Sequence, residues 1–148
     1  MKTFTRITAV VILAVMVLSL VACSSFGGIK ANFEKNGYTY VEDADSENTT
    51  KTITAELEEG NISCTAHLFK IKIGEVPIIG TEICEYALVL EFGSDKDMQE
   101  AMAESETIKG IIKDAQDSEY VNGNCLLVPI GLTKFEEMVK IFNGEKLD

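Results

Sequence analysis

The apolar run Tyr86-Ala87-Leu88-Val89-Leu90 constrains the fold of this chain most strongly. A short, uninterrupted apolar run between polar residues is typical of a strand buried inside a sheet. We therefore predict a central strand within residues 82–92. The rest of the chain must supply neighbouring strands and the helices that cover them.

The segment that precedes this strand favours further strands. Residues 52–58 alternate polar and apolar side chains, which predicts a half-buried strand, and residues 52–73 together predict a β-hairpin. The alternation changes phase near Leu68-Phe69, which indicates a bulge. Residues 43–51 are strongly polar and predict a loop, and residues 74–80 predict a loop or a sheet edge.

The N-terminal part of the folded region begins with a different pattern. Residues 29–36 predict a short helix that ends at Gly37, a glycine of the kind that follows helix C-termini. Residues 38–41 have the composition of a strand.

After the central strand, the pattern predicts a helix, a hairpin and a second helix. Ser94 begins an amphipathic helix, and Asn122-Gly123 between apolar runs predicts a hairpin that leads into a buried strand over 125–130. Thr133 with Glu136 predicts a capped helix that ends at Gly144. The apolar faces of the two helices are Met98, Ala101, Met102, Ile108, Ile111, Ile112 and Ala115, and Phe135, Met138, Val139 and Phe142.

This order predicts an α+β fold in which an antiparallel sheet is covered on one face by two helices. Its C-terminal half is compatible with half of a ferredoxin-like fold. The expected core is Leu88, Leu90, Met102, Ile108, Ile112, Leu127, Phe135, Val139 and Phe142.

The N-terminus has the features of an export signal. Lys2 and Arg6 precede an apolar run, Ile7 to Val21, which is long enough for a signal peptide and short for a membrane span. Leu20-Val21-Ala22-Cys23 then resembles the lipobox of bacterial lipoprotein precursors. The resemblance implies removal of residues 1–22 and attachment of a diacylglyceryl group to Cys23. It also implies a membrane anchor that faces outside the cytoplasm.

We accordingly expect three parts: a signal peptide over 1–22, a lipidated tether over 23–29 and one α+β domain over 30–148. Removal of the first 22 residues leaves 126 residues, with eleven cations against 24 anions and a formal net charge of −13. Arg6 is the only arginine of the chain and would be removed with the signal. An acidic protein without arginine is a poor nucleic-acid binder, so we expect no nucleic-acid partner.

The remaining cysteines permit one internal pair at most. With Cys23 lipidated, Cys64, Cys84 and Cys125 remain, and Cys64 and Cys84 lie in strand-like runs where they could form a disulfide. Cys125 lies in an apolar run and is expected to be a small buried hydrophobic residue. Because no two cysteines have C-x-x-C spacing, we expect neither a zinc site nor thioredoxin-like chemistry, and no cofactor.

Few residues suggest catalysis. His67 is the only histidine, is expected on a strand face opposite Ala66 and Leu68, and cannot form a dyad with Cys64 on a regular strand. Asp43, Asp45 and Glu47 have the alternation of calcium-loop ligands, but Asn48 replaces the required glycine and Thr54 the final acid. Glu56, Glu58 and Glu59 could pair for acid–base chemistry, but Glu56 and Glu58 are expected on the solvated face of a strand. The common catalytic motifs are missing from the sequence.

The sequence therefore favours a membrane-anchored, non-enzymatic domain that binds or scaffolds an unidentified protein or small molecule. The alternative is a small ligand- or cation-binding lipoprotein that uses the acids at 43–47, and a hydrolase or redox enzyme is the third hypothesis.

We predict that Cys23→Ala moves the protein from the detergent phase to the aqueous phase, because two acyl chains anchor a protein stably. Phase partitioning and mass spectrometry of membrane-extracted protein test this. Detection of Met1, or of an unmodified Cys23 in a soluble fraction, would contradict it.

Overall fold

A computed structural model describes residues 25–112 and 118–147. The proposed signal peptide, the lipobox with Cys23, and Ala115 lie outside these residues. The helices are α1 (Ser25–Lys35), α2 (Asn48–Glu59), α3 (Asp95–Glu104), α4 (Glu106–Ile111) and α5 (Phe135–Phe142), with short 3₁₀ turns at Ala44–Ser46 and Ser118–Tyr120. The strands are β1 (Thr39–Val41), β2 (Cys64–Val76), β3 (Thr81–Phe92), β4 (Val121–Asn122) and β5 (Cys125–Ile130). No helix in the described ranges is long and apolar enough to cross a membrane.

The strands form one sheet in the order β1-β2-β3-β5-β4, and every neighbouring pair is antiparallel. The α+β prediction is thus confirmed, and β3 is the central strand. The strand order β3-β5-β4 agrees with the suggested half of a ferredoxin-like fold. β3 and β4 flank α3 and α4 in the chain, and because each is antiparallel to β5, they run parallel to each other with β5 between them. A βαβ unit requires parallel strands.

Helices cover both faces of the sheet, so the expectation of a single covered face is wrong. Alternate residues of a strand point to opposite faces. Leu88 and Leu90 of β3 pack in a core with α2, α3 and α4, whereas Ala87 and Val89 belong to a second core with α1 and α5. The uninterrupted apolar run of β3 reflects burial on both sides.

The predicted strand over 52–58 is also wrong, because these residues belong to α2. Ile53 and Leu57 are buried, while Ala55 between them is exposed. The spacing of four residues between the buried pair is the helical period. Ile53 and Leu57 satisfied both periods in the sequence. Glu47 caps α2, and its carboxylate accepts a hydrogen bond from the Thr50 N–H at 2.8 Å.

The long hairpin consists of β2 and β3 rather than residues 52–73. Residues 77–80 connect the two strands, and Gly80 adopts a φ of 65°, which glycine tolerates best. The register shift lies between Lys72 and Gly74 instead of at Leu68-Phe69. The phase change at Leu68-Phe69 arises because both side chains are buried, one in each core.

The N-terminal caps of the last three helices differ in part from the predictions. Ser94 caps α3 as predicted, but Ser105 ends that helix and caps α4, so the single predicted helix is two. The Thr133–Glu136 capping box does not form, since Lys134 is the N-cap residue of α5 and makes no side-chain cap bond. The hairpin at Asn122-Gly123 is confirmed.

The folded domain begins earlier than predicted. α1 starts at Ser25, and Ile29 is buried in the second core. The predicted tether covered residues 23–29, but residues 25–29 belong to this helix. The helix ends just before Gly37, as predicted.

We predict that Phe142→Ala lowers the free energy of unfolding by about 3–5 kcal/mol, because Phe142 is fully buried. Phe135→Ala on the same helix should cost much less. Phe135, like Met102 and Val139 of the predicted core, is only partly buried. Denaturant unfolding of both variants tests this, and equal losses would show that the α5 faces are misplaced.

Candidate functional site

A chain of three polar side chains crosses the sheet on the face covered by α1. The Tyr40 hydroxyl lies 3.2 Å from His67 Nδ1, and His67 Nε2 lies 3.1 Å from Glu91 Oε2. A neutral imidazole that carries its proton on Nε2 satisfies both contacts, because it donates to the carboxylate and accepts from the hydroxyl. His67 lies on the face opposite Leu68, as predicted.

α1 packs over these three hydrogen-bonded side chains. The Phe26 ring stacks on the His67 ring at a centroid distance of 3.5 Å, and the Lys30 ammonium lies 4.4 Å from the centre of the Tyr40 ring. His67 is consequently only 9% exposed, more buried than the sequence suggested. With both nitrogens bonded and one ring face covered, His67 is held as a structural contact between α1 and the sheet.

Next to this chain, the first residue of α1 contacts the β4–β5 hairpin. The Ser25 hydroxyl donates to Asn124 Oδ1 at 2.8 Å and lies 3.5 Å from Cys125 Sγ. A Cβ atom at Gly123 would lie 2.9 Å from Ser25 Oγ, so the glycine permits this close approach. The start of α1 is therefore fixed to the sheet immediately after the proposed lipid-bearing residue.

The predicted disulfide between Cys64 and Cys84 is wrong. Both thiols are free, and the register pairs Cys64 with Phe92 but Cys84 with Lys72, eight residues further along β2. That separation is about 26 Å at the rise of a strand, whereas a disulfide needs Cα atoms within about 7 Å. The prediction assumed a different hairpin.

The environments of two thiols disfavour reactivity. Burial, and then the nearby Glu58 carboxylate, raise the pKa of Cys64 to about 11. Burial also raises the pKa of Cys125, outweighing the hydrogen bond with Ser25. Both thiols stay protonated near neutral pH, and Cys125 is buried as predicted.

The acids of the 43–47 segment lie beside a cleft of about 320 Å³. Glu42, Asp43, Asp45 and Glu58 line the cleft, but the side chain of Glu47 is used to cap α2. Nowhere in 25–112 and 118–147 do three side chains of the metal-binding types converge. The cation-binding alternative therefore gains no ligand set from the described residues.

Two other carboxylates have structural roles that the sequence did not suggest. Glu85 is 3% exposed and accepts hydrogen bonds from Thr133 N–H and Lys134 N–H, both at 2.9 Å, at the start of α5. Gly131 leaves room for it, since a Cβ there would lie 2.6 Å from the carboxylate. Glu56 accepts from the Ser105 and Thr107 hydroxyls and so ties α2 to α4, where a solvated strand face was predicted.

The end of the β2–β3 hairpin extends beyond the neighbouring strands β1 and β5, and we call residues 71–85 of this hairpin the arm. β1 pairs with β2 only as far as Lys70, and β5 pairs with β3 only from Tyr86. The two arm strands thus pair with each other but with no other described strand. Four of the six exposed large apolar side chains in the described part of the chain lie on the arm: Ile73 (39%), Ile78 (94%), Ile79 (70%) and Ile83 (45%).

No family model, no curated protein and no solved structure matches the chain.

We predict that Glu85→Gln lowers the free energy of unfolding by about 1–3 kcal/mol, because a buried carboxylate with several donors is replaced by an amide. Burial raises the pKa of Glu85, but the hydrogen bonds from Thr133, Leu132 and Lys134 together lower it below its ordinary value of 4.5. Its stabilising effect is hence complete above about pH 4.5 and lost as the pH falls through the lowered value.

Denaturant unfolding at neutral and acidic pH measures both effects. The exposed Glu82→Gln, three residues earlier, is the matched control and should change little. An acid profile that is identical in Glu85→Gln and the parent chain would contradict the role of Glu85.

We also predict that His67→Ala destabilises the domain by about 1–3 kcal/mol, since Glu91, Tyr40 and Phe26 lose their shared partner. Thr65→Ala, on the same strand face but exposed, is the control. If a hydrolase screen found turnover that fell about 10²–10⁴-fold in a folded His67→Ala variant, His67 would be a catalytic base and this account would fail.

Proposed function

We propose that this chain is a lipoprotein anchored to a membrane through Cys23, whose domain acts outside the cytoplasm as a non-enzymatic module that binds another protein. The observation that carries the binding role is the arm. Clustered apolar side chains in water are costly for a monomer and are characteristic of interaction sites.

The positions of the two ends of the domain support this role. Ser25, two residues after Cys23, contacts Cys125, which pairs with Glu91 on β3. Thr81, at the tip of the arm, lies ten residues earlier on the same strand, which corresponds to about 33 Å. An anchored domain of this shape would extend its arm away from the bilayer.

The use made of the polar groups also favours binding over catalysis. His67, Glu56 and Glu85 hold helices in place, and the thiols of Cys64 and Cys125 stay protonated near neutral pH. The acidic surface and the loss of Arg6 favour a protein partner over nucleic acid.

Cross-linking of intact cells with an amine-reactive reagent tests the proposal. The parent chain should give a discrete heavier species in the membrane fraction that contains one second protein. Cys23→Ala should reduce that species, because release from the membrane dilutes the chain relative to a partner in the envelope. Recovery of only the uncross-linked chain, in membranes and in solution alike, would contradict a binding function.

A further inference from the structure

We propose that the arm is the docking element and that its partner is a protein with an apolar cleft rimmed by lysine or arginine side chains. This inference rests on the proposed function and names the surface and the partner chemistry.

The shape of the arm suits insertion into a cleft. Its two strands stay paired out to Val76 and Thr81, so the tip is held on a regular ribbon. Ile78 and Ile79 form the turn and are the most exposed apolar side chains of the arm. The outer edges of both arm strands offer backbone groups that could pair with a strand of the partner.

The charges beside the tip indicate a cationic rim. Glu75 and Glu82 lie directly opposite each other across the ribbon, an arrangement of like charges that is unfavourable by itself. They share one cation, since Lys72 Nζ lies 2.8 Å from Glu75 and 3.2 Å from Glu82. One carboxylate charge is left uncompensated beside the exposed isoleucines, and a basic side chain of the partner would pair with it.

A second copy of this chain fits the arm poorly. Stable interfaces use about 20–30 residues on each side, which is more than two arms laid tip to tip can supply. Insertion into a cleft of another copy meets like charge. The charged residues that line one described cleft are Glu42, Asp43, Asp45 and Glu58, and those that line another are Glu119, Glu136 and Glu145 with one cation, Lys140.

A bilayer fits poorly as well. The tip lies at the opposite end of the sheet from Ser25, and Glu75 and Glu82 would be repelled by anionic headgroups. A protein cleft with a basic rim is the occupant that satisfies both the isoleucines and the glutamates.

The cross-linking assay in intact cells, repeated with arm variants, tests this inference. Ile78→Ser/Ile79→Ser should reduce the heavier species about tenfold or more, as expected for the loss of two apolar anchors. Leu147→Ser, an exposed apolar residue away from the arm, is the matched control and should leave it unchanged. Glu75→Gln/Glu82→Gln should weaken the complex at low salt, and that difference should disappear at high salt.

The outcomes separate the two proposals. Absence of any heavier species with the parent chain removes the proposed function. A heavier species that persists in Ile78→Ser/Ile79→Ser is compatible with that function but contradicts the assignment of the arm as the docking element. A mass equal to two copies of this chain overturns the partner assignment.

Binding of the Cys23→Ala chain to protein-free lipid vesicles that is lost on adding Ile78→Ser/Ile79→Ser would also overturn the partner assignment, in favour of lipid. Thermal unfolding of each variant checks the fold. Because Glu75→Gln/Glu82→Gln alters only exposed side chains, its salt-dependent weakening tests the inference even if the isoleucine variants misfold.

Discussion

The antiparallel ladder between β2 and β3 supports the other elements of this domain. It runs from Cys64 opposite Phe92 to Val76 opposite Thr81 and places apolar side chains on both faces of its first half. Leu68 and Phe69, adjacent in sequence, are buried in different cores. A strand pair of this kind needs helices on both sides, and α2, α3 and α4 cover one face while α1 and α5 cover the other.

The same ladder gives the domain two unlike ends. Where β1 and β5 flank the hairpin, its polar side chains are enclosed, and the Tyr40–His67–Glu91 chain fixes α1 next to the proposed anchor. Beyond Lys70 and Tyr86 the hairpin continues without neighbours among the described strands, and four of its five isoleucines are exposed. A fixed end beside the proposed lipid anchor and a projecting apolar end are what a tethered binding module requires.

Local signals in the sequence predicted local features. The apolar run around Leu88 predicted β3, and Ser94 predicted the start of a helix. Gly37 and Gly123 predicted chain reversals that the structure confirms. The errors arose where distant residues decide the outcome. Residues 52–58 satisfy both the strand and the helix period, and burial of Ile53 and Leu57 against other elements selects the helix.

The same reasoning explains what was missed in the candidate sites. Glu85 was not recognised as a cap because its partners lie 48 and 49 residues further along the chain. The disulfide prediction failed because strand register is set by pairing that the sequence does not reveal. The exposure of Ile78 and Ile79 likewise depends on how far β1 and β5 extend.

Hydrogen exchange of the anchored chain in its native membranes, compared with the purified chain, tests the central claim most directly. If the arm docks into a protein cleft, the amides of residues 71–85 that face outward from the hairpin should exchange rapidly in the purified chain and slowly in the membranes. Amides around Leu88 and Leu127 should be protected in both. Equal exchange of the arm in the two samples, or new protection confined to α1 and its surroundings, would contradict the account.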